Sequence, residues 1–146
     1  DTGNLHIQPL FEDGYHLAYP PDWPALAGTG AHVLEQFKGQ LMLLEKGHCL
    51  QRHALAAYPG QLAKGLNDFA ATSLNTLIAM VSEGLGVTLL PDLAVRAWVA
   101  GDNAVRLTPL PDACPRQVVL AWRPGSARAA VFEKLSDVLR RHRKMD

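Results

Sequence analysis

Between Gln40 and Tyr58 the chain reads QLMLLEKGHCLQRHALAAY. Leu41-Met42-Leu43-Leu44 is a compact apolar run and Glu45-Lys46-Gly47 is a polar turn. A helical pattern then runs from His48-Cys49 to about Tyr58, where Pro59-Gly60 stops it. This is strand, tight turn, helix. In a parallel α/β sheet such a junction lies at the carboxyl edge, where ligands bind. It puts a thiol, Cys49, in the first turn of a helix, where free N–H groups favour negative charge.

The same alternation continues along the chain. A polar connection over 61–68 leads to a short strand near Phe69-Ala70, and Thr72 or Ser73 is a suitable N-cap for the next helix. In that helix Leu74, Leu77, Ile78 and Val81 form an apolar stripe, and Gly84 is placed for a left-handed cap. Val87 to Leu90 reads as a buried strand. Pro91-Asp92 starts another helix, Leu93 to about Ala100, and Gly101-Asp102-Asn103 turns out of it. Strands alternating with helices over 40–100 predict a parallel α/β core.

The flanks are less regular. Residues 5–11 read as a strand whose Pro9 suits an edge or a crossing segment. Residues 15–19 form a second strand, stopped by Pro20-Pro21, and His32 to Phe37 makes a turn of helix. Val105 to Leu110 and Val118 to Trp122 are strands, with Pro109, Pro111 and Pro115 stiffening the stretch between them. The last helix runs from Ser126 to about Lys144 with an apolar face of Val131, Leu135, Val138 and Leu139. Strands 15–19 and 118–122 have no helices of their own and are expected to pair with each other.

Composition narrows the function classes. With 146 residues and zero formal net charge, the chain lacks the basic excess of a free-standing nucleic-acid binder. No apolar run reaches the length of a membrane span. The two cysteines, far apart in sequence, make no disulfide scaffold, and reduced thiols in the cytoplasm are expected. There is no CxxC, no Ser/His/Asp constellation, no Gly-rich phosphate loop and no zinc-ligand spacing. The expectation is a protein that is not an enzyme, with no cofactor and no metal. The chain starts at Asp1 without Met, which suggests a fragment.

Several motifs resemble, in order and spacing, the effector domain of LysR-type transcriptional regulators. ATSLNTLIAMVSEGLGVTLLPDLAV, from Ala71 to Val95, is similar to that family's helix-strand signature, and AWRPGS from Ala121 to its C-terminal strand and last helix. LMLLEKGHCL, from Leu41 to Leu50, resembles the peroxide-sensing branch, where this strand and turn carry the oxidised cysteine. The resemblance implies a two-lobed fold like type II periplasmic binding proteins, present in part. Residues 1–12 would be a crossing strand from lobe I, 13–123 the regulatory lobe II with return strands, and 124–146 a helix packing on lobe I. It also implies a dimer or tetramer, DNA binding through an absent winged helix-turn-helix, and RNA polymerase as a further partner. In peroxide-sensing members a second cysteine lies nine positions on and closes a disulfide, and an acidic residue lies three positions on. Here those positions are Tyr58 and Arg52, so the expected response uses one cysteine.

Each candidate has a plainer reading. Cys49 is redox-active or an inert buried thiol. A helix terminus is worth about 0.3–1 kcal/mol, too little alone to make a thiol reactive. Arg52 and His53, three and four residues on, share its helical face and would add positive charge. His48 either polarises a peroxide oxygen or caps the helix in solvent. Thr72 and Ser73 either cap their helix or also hold an anionic effector in the interlobe cleft. Under that second reading the chain is a small-molecule-responsive regulator and Cys49 is inert. A thiol peroxidase is the remaining alternative. Cys114, between Ala113 and Pro115, reads as structural or exposed, and Arg140-Arg141-His142-Arg143-Lys144 as a solvated helix end.

Overall fold

The computed structural model describes residues 3–28, 30–37, 39–62, 66–99 and 104–143. The strands are β1 (His6–Asp13), β2 (Tyr15–Tyr19), β3 (Leu41–Leu44), β4 (Leu66–Ala71), β5 (Thr88–Pro91), β6 (Arg106–Pro109) and β7 (Arg116–Trp122). The helices are α1 (Ala31–Glu35), α2 (Cys49–Ala57), α3 (Leu74–Ser82), α4 (Asp92–Ala94), which widens into a π-helical turn over Val95–Val99, and α5 (Ala129–Arg143). The turn expected at Gly101-Asp102-Asn103, and the helix ends expected at Ala100 and Lys144, lie outside the described residues. The chain divides into two units, Gly14–Pro115 and the pair of segments Asp1–Asp13 with Arg116–Asp146.

In the larger unit, β3 pairs with β4 in parallel, and β2 pairs antiparallel with both β5 and β6. A parallel bridge between Leu41 and Val87 joins β3 to β5. The strands therefore run in the order β4-β3-β5-β2-β6. Alternate residues of each strand face opposite sides of a sheet, and here they enter two separate cores. Leu41, Leu43, Leu17 and Leu89 pack with Val33, Phe37, Ala54 and Tyr58 on the α1/α2 side. Met42, Leu44, Ala18 and Leu90 pack with Leu77 and Val81 on the α3 side. This two-sided burial explains why LMLL reads as an unbroken apolar run. Gly86 is required where β5 meets β3, because a Cβ there would overlap the Gln40 carbonyl oxygen. In α3, Leu77 and Val81 are buried, while Leu74 and Ile78 are half-buried.

The smaller unit is an antiparallel ribbon of β1 and β7 with α5. Pairing runs from His6 opposite Trp122 to Asp13 opposite Arg116, with an irregularity between Pro9 and Phe11. Trp122 packs between His6 and Phe132, at ring-centre distances of 4.4 and 5.6 Å. Arg140 Nε donates to the Pro9 carbonyl at 2.9 Å, so this basic residue is engaged and not merely solvated.

The expected pairing of 15–19 with 118–122 is wrong. β2 has both edges filled, by β5 and β6, and β7 takes β1. The physical reason is the end of the ribbon. Asp13 is fully buried, and Arg116 Nε donates to its Oδ2 at 2.7 Å. Gly14 and Pro115 follow at once, and Pro115 has no N–H for a ladder. Two boundaries also move. β4 starts at Leu66, inside the expected polar connection, because Leu66 already pairs in parallel with Leu41 of β3. α5 starts at Ala129 and not Ser126, since residues 126–128 form a turn in which Ser126 Oγ accepts from Arg128 N at 3.3 Å.

Candidate functional site

Two helices open at the carboxyl edge of the β3/β4 pair. Leu44 and Ala71 are paired residues at the ends of those strands. Glu45 N donates to Ala71 O at 3.0 Å, and His48 N donates to Glu45 O at 3.2 Å, which closes the turn between β3 and α2. Gly47 supplies the left-handed backbone that turn needs, with φ 103°. α2 then starts with Cys49 as its first residue and His48 as its N-cap, and the His48 side chain makes no capping hydrogen bond. One residue beyond Ala71, the turn Thr72-Ser73 opens α3. Cys49, His48, Thr72 and Ser73 therefore share one edge of the sheet.

The thiol side of this edge is open. Cys49 is exposed and lies in no disulfide, and the N-cap His48 and the α2 residues Arg52 and His53 are exposed beside it. Among the described residues, none of these three side chains is held by a hydrogen bond or ion pair. The hydroxyl side is built differently. Ser73 Oγ accepts from Thr76 N at 3.1 Å and lies 2.9 Å from Thr76 Oγ1, so Ser73, and not Thr72, is the cap. Thr72 is exposed.

Two further features of the unit carry no sequence signal that isolates them. At the carboxyl end of β5, His16 Nδ1 lies 2.9 Å from Asp92 Oδ1. At the far end of α2, Tyr58 OH donates to Asp112 Oδ1 at 2.6 Å, and Ala31 N donates to Asp112 Oδ2 at 2.8 Å. Burial and then the Asp112 bond hold the Tyr58 phenol well above its ordinary 10.0. The Tyr58 hydroxyl and then the Ala31 N–H hold the Asp112 carboxyl below its ordinary 3.8. The prolines and small residues around Asp112 mark only a turn, so its partners were not legible.

Cys114 is exposed, and its backbone N donates to Ala57 O at 2.8 Å. That fixes it at the last turn of α2, eight residues from Cys49. At 1.5 Å rise per residue the helix separates the two positions by about 12 Å, beyond the ~7 Å that a disulfide allows between Cα atoms. A cavity of about 640 Å³ opens at the opposite, amino edge of the sheet, over Phe37, Leu41 and Leu62. Among the described residues no three His, Cys, Asp or Glu side chains converge as metal ligands would.

Known regulators are similar to this chain along much of its length. A hydrogen peroxide-inducible genes activator of Dickeya chrysanthemi is 36% identical over 138 residues, 94% of this chain and 45% of that protein. The HTH-type transcriptional regulator EstR of Acinetobacter baylyi is 39% identical over 115 residues, 77% of this chain and 38% of that protein. The chain thus spans less than half the length of these relatives. The reduced regulatory domain of OxyR2 from Vibrio vulnificus superposes with a TM-score of 0.78 at 27% identity, covering 95% of this chain and 66% of that one. The expected α/β lobe of periplasmic-binding-protein type is therefore the fold of this chain. The family model for the LysR substrate binding domain matches residues 1–144, and the chain belongs to that family.

Proposed function

We propose that this chain is the effector-sensing part of a LysR-type DNA-binding transcription regulator that responds to hydrogen peroxide through Cys49. The observation that carries the reading is the exposed thiol at the first residue of α2, on the carboxyl edge of the sheet. The peroxide-inducible activator among the relatives and the OxyR2 regulatory domain among the structures support the choice of oxidant. In the reaction, the thiolate sulfur attacks one peroxide oxygen and the O–O bond breaks. The leaving hydroxide takes a proton to become water, and sulfur is oxidised by two electrons to a sulfenic acid. His48 and Arg52 are the side chains available to donate to the peroxide oxygens. Tyr58 cannot resolve a sulfenic acid, so the oxidised state is the sulfenic acid itself, or a mixed disulfide formed when a small thiol displaces water.

The signal follows from how α2 is held. Its fully buried side chains are Ala54 and Ala57, with Leu50 and Leu55 half-buried against the cores, so modification of Cys49 acts at the exposed, uncapped start of the helix. In the whole protein the change there would reset a dimer or tetramer, and with it a winged helix-turn-helix on DNA, with RNA polymerase as a further partner. Residues 1–12 act as the crossing strand from lobe I, 13–123 as lobe II with its return strands, and 124–146 as the helix that packs on lobe I. Support for the last point is the exposed apolar stripe of α5, with Val131 60% and Val138 53% exposed. No helix among the described residues is long and apolar enough to cross a membrane, and the working compartment is the cytoplasm. The chain regulates and does not turn over substrate.

The test is peptide mass mapping after brief, near-stoichiometric peroxide, with a sulfenic acid trap. Modification should fall on Cys49. A dominant Cys49–Cys114 crosslink would overturn the one-cysteine mechanism, and steady turnover with a thiol reductant would make the chain a peroxidase. An unmodified Cys49 leaves the second reading, a small-molecule-responsive regulator with Thr72 and Ser73 at the effector site. That reading is favoured by their place on the same edge.

A further inference from the structure

The two ends of α2 are held in opposite ways. At the start, the turn is closed by two backbone bonds, no side chain caps the helix, and His48, Cys49, Arg52 and His53 stand in solvent. At the end, Tyr58 is 4% exposed and its hydroxyl donates to Asp112. The other oxygen of that carboxylate takes the N–H of Ala31, the first residue of α1. Gly30 shows that this position is built into the fold: its φ is 77°, and the Asp112 carboxylate fills the space a side chain there would need. Cys114 N adds a backbone bond to Ala57 O, and Leu62 is buried just beyond. One carboxylate thus ties the last turn of α2 to the first turn of α1 and to the 110–115 segment.

We propose that the Tyr58–Asp112 pair is a positioning pair, the fixed end of the redox helix. It confines any rearrangement after modification of Cys49 to the first turns of α2, and it keeps Cys114 out of reach. The confinement is structural and holds in the reduced protein. Its consequence for signalling rests on the redox reading of Cys49. The pair would also set how readily the change reverses, because the last turn of α2 remains in place as a template on which the first turns re-form once the mixed disulfide is reduced. The clamp uses a charge-assisted hydrogen bond, the stronger kind.

Hydrogen–deuterium exchange resolved by residue tests this in the intact chain and in the variants Tyr58→Phe and Asp112→Asn. In the reduced protein, amides of 54–61 should exchange about tenfold faster or more in both variants, the scale expected for losing a hydrogen bond to a charged group. Amides of α3 should be unchanged. Equal acceleration throughout α3 would make the pair a general stabiliser and overturn the proposal, as would no acceleration at 54–61. The Asp112→Asn chain keeps the test open if Tyr58→Phe does not fold. After peroxide, the unsubstituted chain should show faster exchange in 49–53 only. In the variants it should spread to residue 58, and a Cys49–Cys114 crosslink should appear. Spreading past Ala57 in the unsubstituted chain would sink the fixed-end assignment. If peroxide leaves Cys49 unmodified, the redox reading falls while the reduced-state result still decides the clamp.

Discussion

α3 and α5 carry the same kind of signal in the sequence and meet different fates. Both have apolar residues at helical spacing. In α3 the stripe lies against the sheet, with Leu77 2% and Val81 0% exposed. In α5 the stripe faces solvent, with Leu135 41% and Val138 53% exposed. Amphipathic spacing predicts that a face will be covered and says nothing of what covers it. The α3 stripe is closed by strands of its own unit, whereas the α5 stripe awaits a partner surface, which we assign to lobe I.

The comparison breaks most easily by truncation. Leu77→Ala should cost about 2–5 kcal/mol, because it opens a cavity between α3 and the sheet. Leu135→Ala in the same chain should fall within about 0.5 kcal/mol of the parent. Urea unfolding of both variants checks this. Equal losses would mean that the α5 stripe is already packed and that its assignment to lobe I is wrong. A longer chain that includes lobe I sharpens the test, since Leu135→Ala should then become costly.

What the sequence made legible follows the same division. β2 and β3 have the bounds read from their apolar runs, and Ser73 is one of the two caps expected. These are local signals, and a strand bounded by Pro20 or a hydroxyl three residues before Thr76 needs no distant partner to be read. The partners of β2 are not legible, because register depends on neighbours and both its edges are filled by segments far along the chain. At the candidate site, the placement of Cys49 and His48 at the start of α2 was legible from LMLLEKGHC. The Tyr58–Asp112–Ala31 bridge was not, because its three residues lie far apart in sequence and none is unusual in its own setting.

At the helix starts the expected effects are smaller. Ser73→Ala should lower stability by about 0.5–2 kcal/mol, because it removes the acceptor for Thr76 N. Thr72→Ala should change little, since Thr72 is exposed and is not the cap. Thermal unfolding of the two variants side by side separates them. A larger loss from Thr72→Ala would move the cap and remove the basis for reading Ser73 as structural.

The smallest effect reads the clamped end of α2 through pH. Asp112 is held below its ordinary 3.8 in the folded chain. Its contribution is therefore full above that value and is lost as pH falls through the lower, folded one. Tyr58 is held above its ordinary 10.0, so its contribution is full below that value and is lost as pH rises beyond it. The clamp is thus whole across the neutral range and loosens at both limits. The carboxylate is exposed, so solvent screening keeps the effect modest. In unfolding midpoints measured against pH, the gap between the parent and Asp112→Asn should be flat around neutrality and should narrow below about pH 4. The gap between the parent and Tyr58→Phe should narrow above about pH 10. A flat Asp112→Asn gap through the acid limb would show that the carboxylate does not carry the bond to Tyr58 in solution.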